Sequence, residues 1–285
     1  MKVPAGLRAM SLANLTVWRV DPVEFINGAA DAGFGAVGLL LLSPTPQPLE
    51  HGIVGRPEVI RAVRAALQAR GLRCFDIEAF VLQQGASLER FRPALAVGAE
   101  LGATHISSIG AEPRGADTGL TAAERVDLFG RLCDEAARFG LHVGVEFMRY
   151  RDIPTWREAL DLIEAAGRPN SGLIVDALHL FRSGGTPQDI AGIPAPRIAY
   201  AQLCDARPDS PAFADLPAEA RGDRLALGTG AIPLAELIKA LPEGTKLVVE
   251  TPIREQASWS VIRRCQSAGE TARAFFEKPG KITSP

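Results

Sequence analysis

Oxygen-bearing side chains follow short apolar runs at four places in the second half of the sequence. Glu146 comes after "HVGV", Asp176 after "GLIV", Gln202 after "IAYA" and Glu250 after "KLVV". Each run is typical of a buried strand, in which alternate side chains share one face. Three carboxylates cannot share a site withdrawn from water unless a cation or protons lie between them, and a hard divalent ion takes carboxylate and amide oxygens as ligands. The four positions therefore predict a metal site.

Four further residues are candidates for contact with a substrate. His179 lies three residues after Asp176. Side chains three residues apart on a strand point to opposite faces, so His179 can reach the site only if the chain turns after the strand ends. The alternative for His179 is a structural imidazole. Glu78 in "CFDIEAF" has inward parity, and its alternative is an ion pair with an arginine inside the fold. Arg221 and Arg224 are either solvated or lid-stabilising, or one of them binds an anionic substrate.

Short apolar runs that favour strands alternate with helical patterns along the whole chain. This alternation predicts βα units around a parallel sheet. Eight such units indicate a single (β/α)8 TIM barrel over residues 1–285, whose chemistry lies in the loops after the carboxyl ends of the strands. The predicted strands are Leu7–Leu12, Ala36–Leu42, Arg73–Val81, His105–Ile109, His142–Phe147, Gly172–Ala177, Ile198–Leu203 and Lys246–Thr251.

Helix boundaries are marked by capping residues. Asp21 before proline, Thr121 in "TAAE" and Thr155 in "TWRE" each predict a helix start, because their side-chain oxygens can accept from free backbone N–H groups. The second helix is expected over 57–70, with one apolar stripe, and Gly71 is expected to end it. A proline-rich loop over 205–228 carries Arg221 and Arg224, and we expect it to act as a mobile lid.

Composition restricts the class of partner. The chain has 31 basic and 33 acidic residues, spread evenly, so it offers no charged face for nucleic acid or for an anionic membrane. The apolar runs are too short to span a bilayer, and four cysteines lie far apart without a paired motif, which predicts reduced thiols in a cytoplasmic protein. The expected partner is a small polyhydroxylated molecule. A homo-oligomer is left open.

The motifs "VEFM", "VDALH", "AQLCD" and "VVETP" resemble those of the xylose isomerase-like TIM barrels, and the resemblance covers nearly the whole chain. This superfamily includes sugar epimerases, hydroxypyruvate isomerase, inosose dehydratase, one type of 3-dehydroshikimate dehydratase and endonuclease IV. The motifs match the family's metal ligands in order at Glu146, Asp176, Gln202 and Glu250. Many members carry histidine at the third position, whereas glutamine is similar to hydroxypyruvate isomerase and the dehydroshikimate dehydratases.

The resemblance implies one Mn²⁺, Mg²⁺ or Co²⁺ ion that polarises a carbonyl and its neighbouring hydroxyl. Glu146 and Glu250 are then expected to remove and return a proton beside that carbonyl, through an enediolate. This chemistry gives a sugar isomerase or epimerase. Loss of a β-hydroxyl from the same intermediate gives a dehydratase as the alternative, and a metal-binding barrel without activity is a third possibility. Four histidines and no basic face argue against an endonuclease.

Overall fold

A computed structural model describes residues 6–45, 47–112 and 120–277. Eight strands pair in parallel, each with the next along the chain, and the last pairs with the first to close the barrel. The predicted (β/α)8 TIM barrel is therefore confirmed. The strands are β1 (Ser11–Leu12), β2 (Ala36–Leu40), β3 (Arg73–Leu82), β4 (His105–Gly110), β5 (His142–Glu146), β6 (Ser171–Asp176), β7 (Ile198–Leu203) and β8 (Leu247–Val249).

The helices surround this barrel and cover its outer face. They are α1 (Pro22–Asp31), α2 (Pro57–Arg70), α3 (Leu88–Glu100), α4 (Ala122–Ala137), α5 (Trp156–Ala166), α6 (Ala177–Arg182), α7 (Pro187–Ala191), α8 (Leu216–Gly222), α9 (Leu234–Ala240) and α10 (Val261–Glu277). Short 3-10 turns join them at Leu7–Ala9, Asn14–Val17, Ala195–Arg197, Phe213–Asp215 and Arg254–Gln256. Within the described residues, no helix is both long enough and apolar enough to cross a membrane.

The capping residues begin their helices as expected. The Asp21 side chain accepts from two backbone N–H groups in the first turn of α1, Thr121 forms a reciprocal capping box with Glu124, and Thr155 caps α5. Helix α2 has the predicted bounds and ends at Gly71, whose φ of 62° lies in the left-handed region that favours glycine. Local hydrogen bonding at helix ends is thus predictable from a few neighbouring residues.

The first strand is shorter than expected. The sequence predicts a strand over Leu7–Leu12, but a 3-10 turn occupies Leu7–Ala9 and only Ser11–Leu12 pair. The turn takes up the backbone N–H groups of Ala9 and Met10, which donate to the carbonyls of Gly6 and Leu7. An apolar run of this length predicts a buried segment, and a buried segment can form either a turn or a strand.

Two separate apolar layers confirm which strand residues were predicted to face the barrel interior and which to face the helices. The outer layer joins strands to helices, while a small inner cluster contains Ala13, Ile174, Tyr200 and Val248. The last three lie two residues before Asp176, Gln202 and Glu250, so those polar residues share the inward face. All four cysteines are buried and free, as predicted for reduced thiols.

Candidate functional site

The structure brings the four predicted ligands together at the carboxyl ends of β5 to β8. Glu146, Asp176, Gln202 and Glu250 are all almost completely buried. Asp176 and Gln202 are partners in the register of β6 and β7, and the Gln202 amide donates to Glu250 Oε1 at 3.3 Å. Gly144 lets the Ile174 side chain pack against β5, because a Cβ at position 144 would lie only 2.4 Å from a side-chain carbon of Ile174. Metal coordination by these residues stays a prediction.

His179 returns to the site through the first turn of α6. Asp176 is the N-cap of that helix and accepts from the His179 backbone N–H at 2.9 Å. The turn places His179 Nε2 3.7 Å from Glu146 Oε1. One ligand atom from each of Glu146, Asp176 and His179 lies within 4.8 Å of the others, so these three could hold a metal ion. His179 therefore lies closer to the candidate ligands than its sequence parity alone indicates.

Arg224 is not solvated, which corrects one of the two alternatives for this residue. Its side chain is 1% exposed, with Nη1 2.7 Å from Asp176 Oδ2 and Nη2 2.9 Å from Glu250 Oε2. Its Nε donates to the carbonyl of Ala220 at 2.9 Å. Two of the candidate metal ligands are thus already paired with a buried cation. The arginine also lines the cavity above them, and its contact with a substrate stays a prediction.

Burial and charge shift the pKa values of the acidic groups in this site. Burial, together with the negative charges of Glu250 and Asp176, raises the pKa of Glu146 well above its usual range. Burial raises the pKa of Glu250 to about 7 even though Arg224 opposes the shift. Burial lowers the pKa of His179 to about 4, so its imidazole is neutral at pH 7 and can accept a hydrogen bond or bind a metal. Carboxyl groups held together in this way favour a nearby cation.

The donor set fits a divalent metal ion. It combines carboxylate oxygens, one amide oxygen and one neutral imidazole, which are the ligand types that such ions take in proteins. Gln202 Oε1 and His179 Nε2 are buried and have no hydrogen-bond partner within the described part of the chain. Buried polar atoms are nearly always satisfied. Gln202 Oε1 can therefore bind an ion, and so can His179 Nε2 when the imidazole proton is on Nδ1.

Glu78 lines the same cavity, but no arginine among the described residues pairs with it. Its neighbour is Asp76, a fully buried residue that sequence reasoning missed. The Tyr200 hydroxyl donates to Asp76 Oδ2 at 3.2 Å, and Gly38 leaves space for the carboxyl, since a Cβ there would lie 2.6 Å from Asp76 Oδ1. Burial raises the pKa of Asp76 to about 6. The parity of "FDIE" could have revealed Asp76, because it shares a strand face with Glu78.

A cavity of about 70 Å³ lies above the candidate ligands. Its polar wall includes Ser107, Tyr150, Arg151 and Arg221, and its apolar wall includes Leu15, Trp18, Leu40 and Met148. Ser107 donates to Glu146 Oε2 at 3.3 Å. Arg151 and Tyr150 follow β5 in a loop, where strand parity gives no signal, and sequence reasoning missed both. The cavity is small and mixed in character, which suits a compact polar molecule with some apolar surface.

The segment 205–228 covers one side of this cavity. It contains α8. An antiparallel bridge between Asp205 and Leu225 joins its two ends, and a bridge between Asp223 and Ile253 ties it to the chain after β8. It supplies Arg221 and Arg224 to the site. The "GTG" at its end forms a turn around the Asp205 carboxylate, which accepts from the backbone N–H groups of Gly230 and Ile232. Closure of this segment over a substrate stays a prediction.

Comparison with known proteins agrees with this fold. The sequence model of the family described as xylose isomerase-like TIM barrel matches residues 26–274. A 3-dehydroshikimate dehydratase of Pseudomonas aeruginosa is 38% identical over 77 residues, which are 27% of this chain and 12% of that protein. An inosose isomerase of Bacillus velezensis is 28% identical over 157 residues, which are 53% of this chain and 54% of that protein.

Among solved structures, an IolI protein with a bound zinc atom has a TM-score of 0.78 and 16% identity, with 96% of this chain and 99% of that chain covered. At this level of identity the match supports the fold. The chain spans only about an eighth of the dehydratase and about half of the inosose isomerase. The whole-protein activities of these relatives therefore do not transfer directly.

Proposed function

Because the chain belongs to the xylose isomerase-like TIM barrel family, we propose that it is a divalent-metal-dependent isomerase or epimerase of a small polyhydroxylated carbonyl compound. The observation that carries this proposal is the buried set of Glu146, Asp176, Gln202 and Glu250 around unpartnered ligand atoms. A divalent ion bound there would polarise a substrate carbonyl and its neighbouring hydroxyl. The residues around it would perform the proton transfers.

Glu146 and Glu250 are the proposed acid–base pair. They stand at the ends of β5 and β8, with β6 and β7 between them, so they approach a bound molecule from different sides. One carboxylate removes the proton from the carbon beside the carbonyl and the other returns it, through an enediolate. Both carboxyl groups line the cavity, where a bound molecule would lie between them, and this placement supports the role.

The surrounding residues hold these groups in place. Arg224 fixes Asp176 and Glu250 by two ion pairs, and Ser107 holds one oxygen of Glu146. Neutral His179 is placed to hydrogen-bond a substrate oxygen. A small cavity with apolar walls keeps bulk water from an enediolate. Proton transfer in such a site needs little reorganisation of the protein.

A dehydratase is the second candidate, and the 38% identity to the Pseudomonas 3-dehydroshikimate dehydratase favours it. The same proton removal would be followed by loss of a β-hydroxyl. Gln202 at the third ligand position also supports this alternative, by its resemblance to dehydroshikimate dehydratases. The two candidates share their metal site and differ in the fate of one intermediate.

The test is a metal-supplemented screen of ketoses, inososes, hydroxypyruvate and 3-dehydroshikimate in D₂O, followed by NMR. An isomerase or epimerase incorporates deuterium beside the carbonyl and conserves the substrate's atoms, whereas a dehydratase releases water and produces an aromatic absorbance from 3-dehydroshikimate. Glu250→Gln is the control, because it keeps the shape and an oxygen ligand but removes the base. It should lose turnover by at least about a hundredfold.

Retention of near-normal turnover in Glu250→Gln would remove Glu250 from the chemistry. A protein that binds one metal ion per chain but turns over none of the panel would favour the non-catalytic barrel. Metal content is measured on the same samples, and Glu146→Ala and Asp176→Ala should each lower it, since each removes a charged oxygen ligand.

A further inference from the structure

Two arginines and one glutamate form a charged cluster at the wall of the cavity. Arg151 Nη2 lies 2.8 Å from Glu112 Oε2, and Arg221 pairs with the same carboxylate oxygen. Arg151 also donates to the carbonyl of Gly110 at 2.8 Å. These residues come from the loops after β4 and β5 and from α8, so three separate parts of the chain converge here. We refer to Arg151, Arg221 and Glu112 as the arginine cluster.

The arginine cluster carries one excess positive charge. Arg151 and Arg221 contribute two positive charges and Glu112 one negative charge. Below it, one divalent ion and Arg224 would together balance the charges of Glu146, Asp176 and Glu250. These groups would then be neutral together. The remaining acidic residue of the cavity wall, Glu78, has a pKa that burial raises well above its usual range, which favours its neutral form and leaves the excess charge of the cluster uncompensated. Arg151 is 2% exposed, while Arg221 and Glu112 are 25% and 21% exposed, so the excess charge is partly withdrawn from water and the cluster favours an anionic ligand.

The cluster has hydrogen-bond donors to spare. A guanidinium offers five N–H donors. Within the described residues, Arg221 uses its donors only towards Glu112. Arg151 is 2% exposed, and its Nε is buried without a partner in the same part of the chain. An unpaired donor on a buried guanidinium is a second observation, independent of the charge, that points to an acceptor. Both arginines line the cavity, so that acceptor can belong to a bound molecule.

We propose that the substrate carries a carboxylate, which Arg221 and Arg151 bind at the cavity wall while the carbonyl end lies at the metal centre. This inference rests on the proposed function and specifies its substrate class as small hydroxy-keto acids. Glu112 is a positioning residue, because it holds both guanidinium groups without facing the reacting atoms. Planar guanidinium groups match the geometry of a carboxylate and can bind it through two parallel hydrogen bonds.

A phosphate group is a poorer match for this site. Phosphate sites commonly use free backbone N–H groups of glycine-rich loops. The glycine-rich turn at 228–230 is not part of the cavity lining, and the N–H groups of Gly230 and Ile232 donate to Asp205 at 2.9 Å and 3.0 Å. One negative charge balances the single excess positive charge of the arginine cluster, so the monoanionic carboxylate is the ligand class that charge favours.

The test compares ligands that differ in charge and lack the ketone needed for reaction. Calorimetry on the metal-loaded protein measures the binding of shikimate and methyl shikimate, and of glycerate and methyl glycerate. We expect at least one acid to bind at least about tenfold more tightly than its ester. Inorganic phosphate is the third probe and should bind more weakly than that acid. The proposed function is tested separately by metal content and deuterium exchange, so either proposal can fail alone.

Three variants test whether the arginine cluster causes any preference for the acid over its ester. Arg221→Gln should weaken binding of the acid at least fivefold and leave that of the ester unchanged. Glu112→Gln should keep or strengthen acid binding, because it removes a negative charge beside the arginines. Arg149→Gln is the matched control, since Arg149 is exposed and lies outside the cavity lining.

Three results would overturn the inference. The first is that neither acid binds more tightly than its ester. The second is an equal loss of acid and ester binding in Arg221→Gln, which would indicate a general distortion of the cavity. The third is a loss in Glu112→Gln as large as that in Arg221→Gln, which would show that the cluster has a structural role only. Circular dichroism on each variant confirms that the fold is retained.

Discussion

Replacement of Arg224 by methionine tests whether the buried cation and the expected metal ion compensate the same charges. Arg224 is 1% exposed, and its partners Asp176 and Glu250 are 0% and 3% exposed. Methionine keeps much of the apolar stem and removes the charge. The two carboxylates would then remain buried without their partner. Removal of one partner from a buried ion pair costs about 3–5 kcal/mol.

We expect this loss in full only when metal is absent. For a chain of this size, 1 kcal/mol shifts Tm by about 2–4 °C, so Arg224→Met should lower the Tm of the metal-free protein by roughly 6–20 °C. A bound divalent cation would supply positive charge to the same carboxylates, and the loss should fall to about half. The assay is thermal unfolding of wild type and variant, each with a chelator and with saturating Mn²⁺.

Arg182→Met is the matched control for this experiment. Arg182 is another buried arginine, 3% exposed, and it forms an ion pair at 2.6 Å with Glu219, which is not one of the candidate ligands. Its variant should lose the same stability with and without Mn²⁺. If Arg224→Met also shows equal losses in both conditions, the reasoning is refuted, because Arg224 and the metal would then not act on the same charges.

Three further predictions concern other parts of the site. Gln202→His should retain metal binding and shift the relative affinity towards Zn²⁺, because imidazole replaces a harder amide oxygen; unchanged relative affinities by competition dialysis would show that Gln202 does not coordinate. Asp76 has a pKa of about 6 in the folded protein, above its usual value, so wild-type stability should fall as pH rises from about 4 to 6. Asp76→Asn should therefore be more stable than wild type by about 3 kcal/mol at pH 7 and equal to it near pH 4 in urea unfolding, and an equal difference at both pH values would contradict this origin. Hydrogen exchange over 205–228 should slow when a verified substrate or inhibitor binds, and unchanged exchange would count against lid closure.

Local sequence determined the order of the elements. Strand and helix periodicity, and capping residues such as Asp21 and Thr121, depend on neighbours within one helical turn. They correctly predicted eight βα units and the bounds of α2. The prediction of β1 was wrong at its start, since burial of Leu7 is compatible with a turn as well as with a strand.

Local sequence also determined the inward face of the site. Because side chains alternate along a strand, the positions of Glu146, Asp176, Gln202 and Glu250 follow from the apolar residues beside them. A closed parallel barrel then brings strand ends to one rim, whichever residues they carry. This is why four candidate ligands could be predicted without coordinates.

Only the tertiary structure decided how the charges around this rim are paired. Arg224 and Asp176 are 48 residues apart in sequence, Tyr200 and Asp76 are 124 apart, and Arg221 and Glu112 are 109 apart. No periodic pattern links residues at such distances, because each pairing depends on how loops from different βα units meet. Arg224 consequently appeared solvated from its local context, yet it is buried against two carboxylates. Sequence determines the type of each group at the site, while the packing of distant segments decides its partner and thereby its charge state.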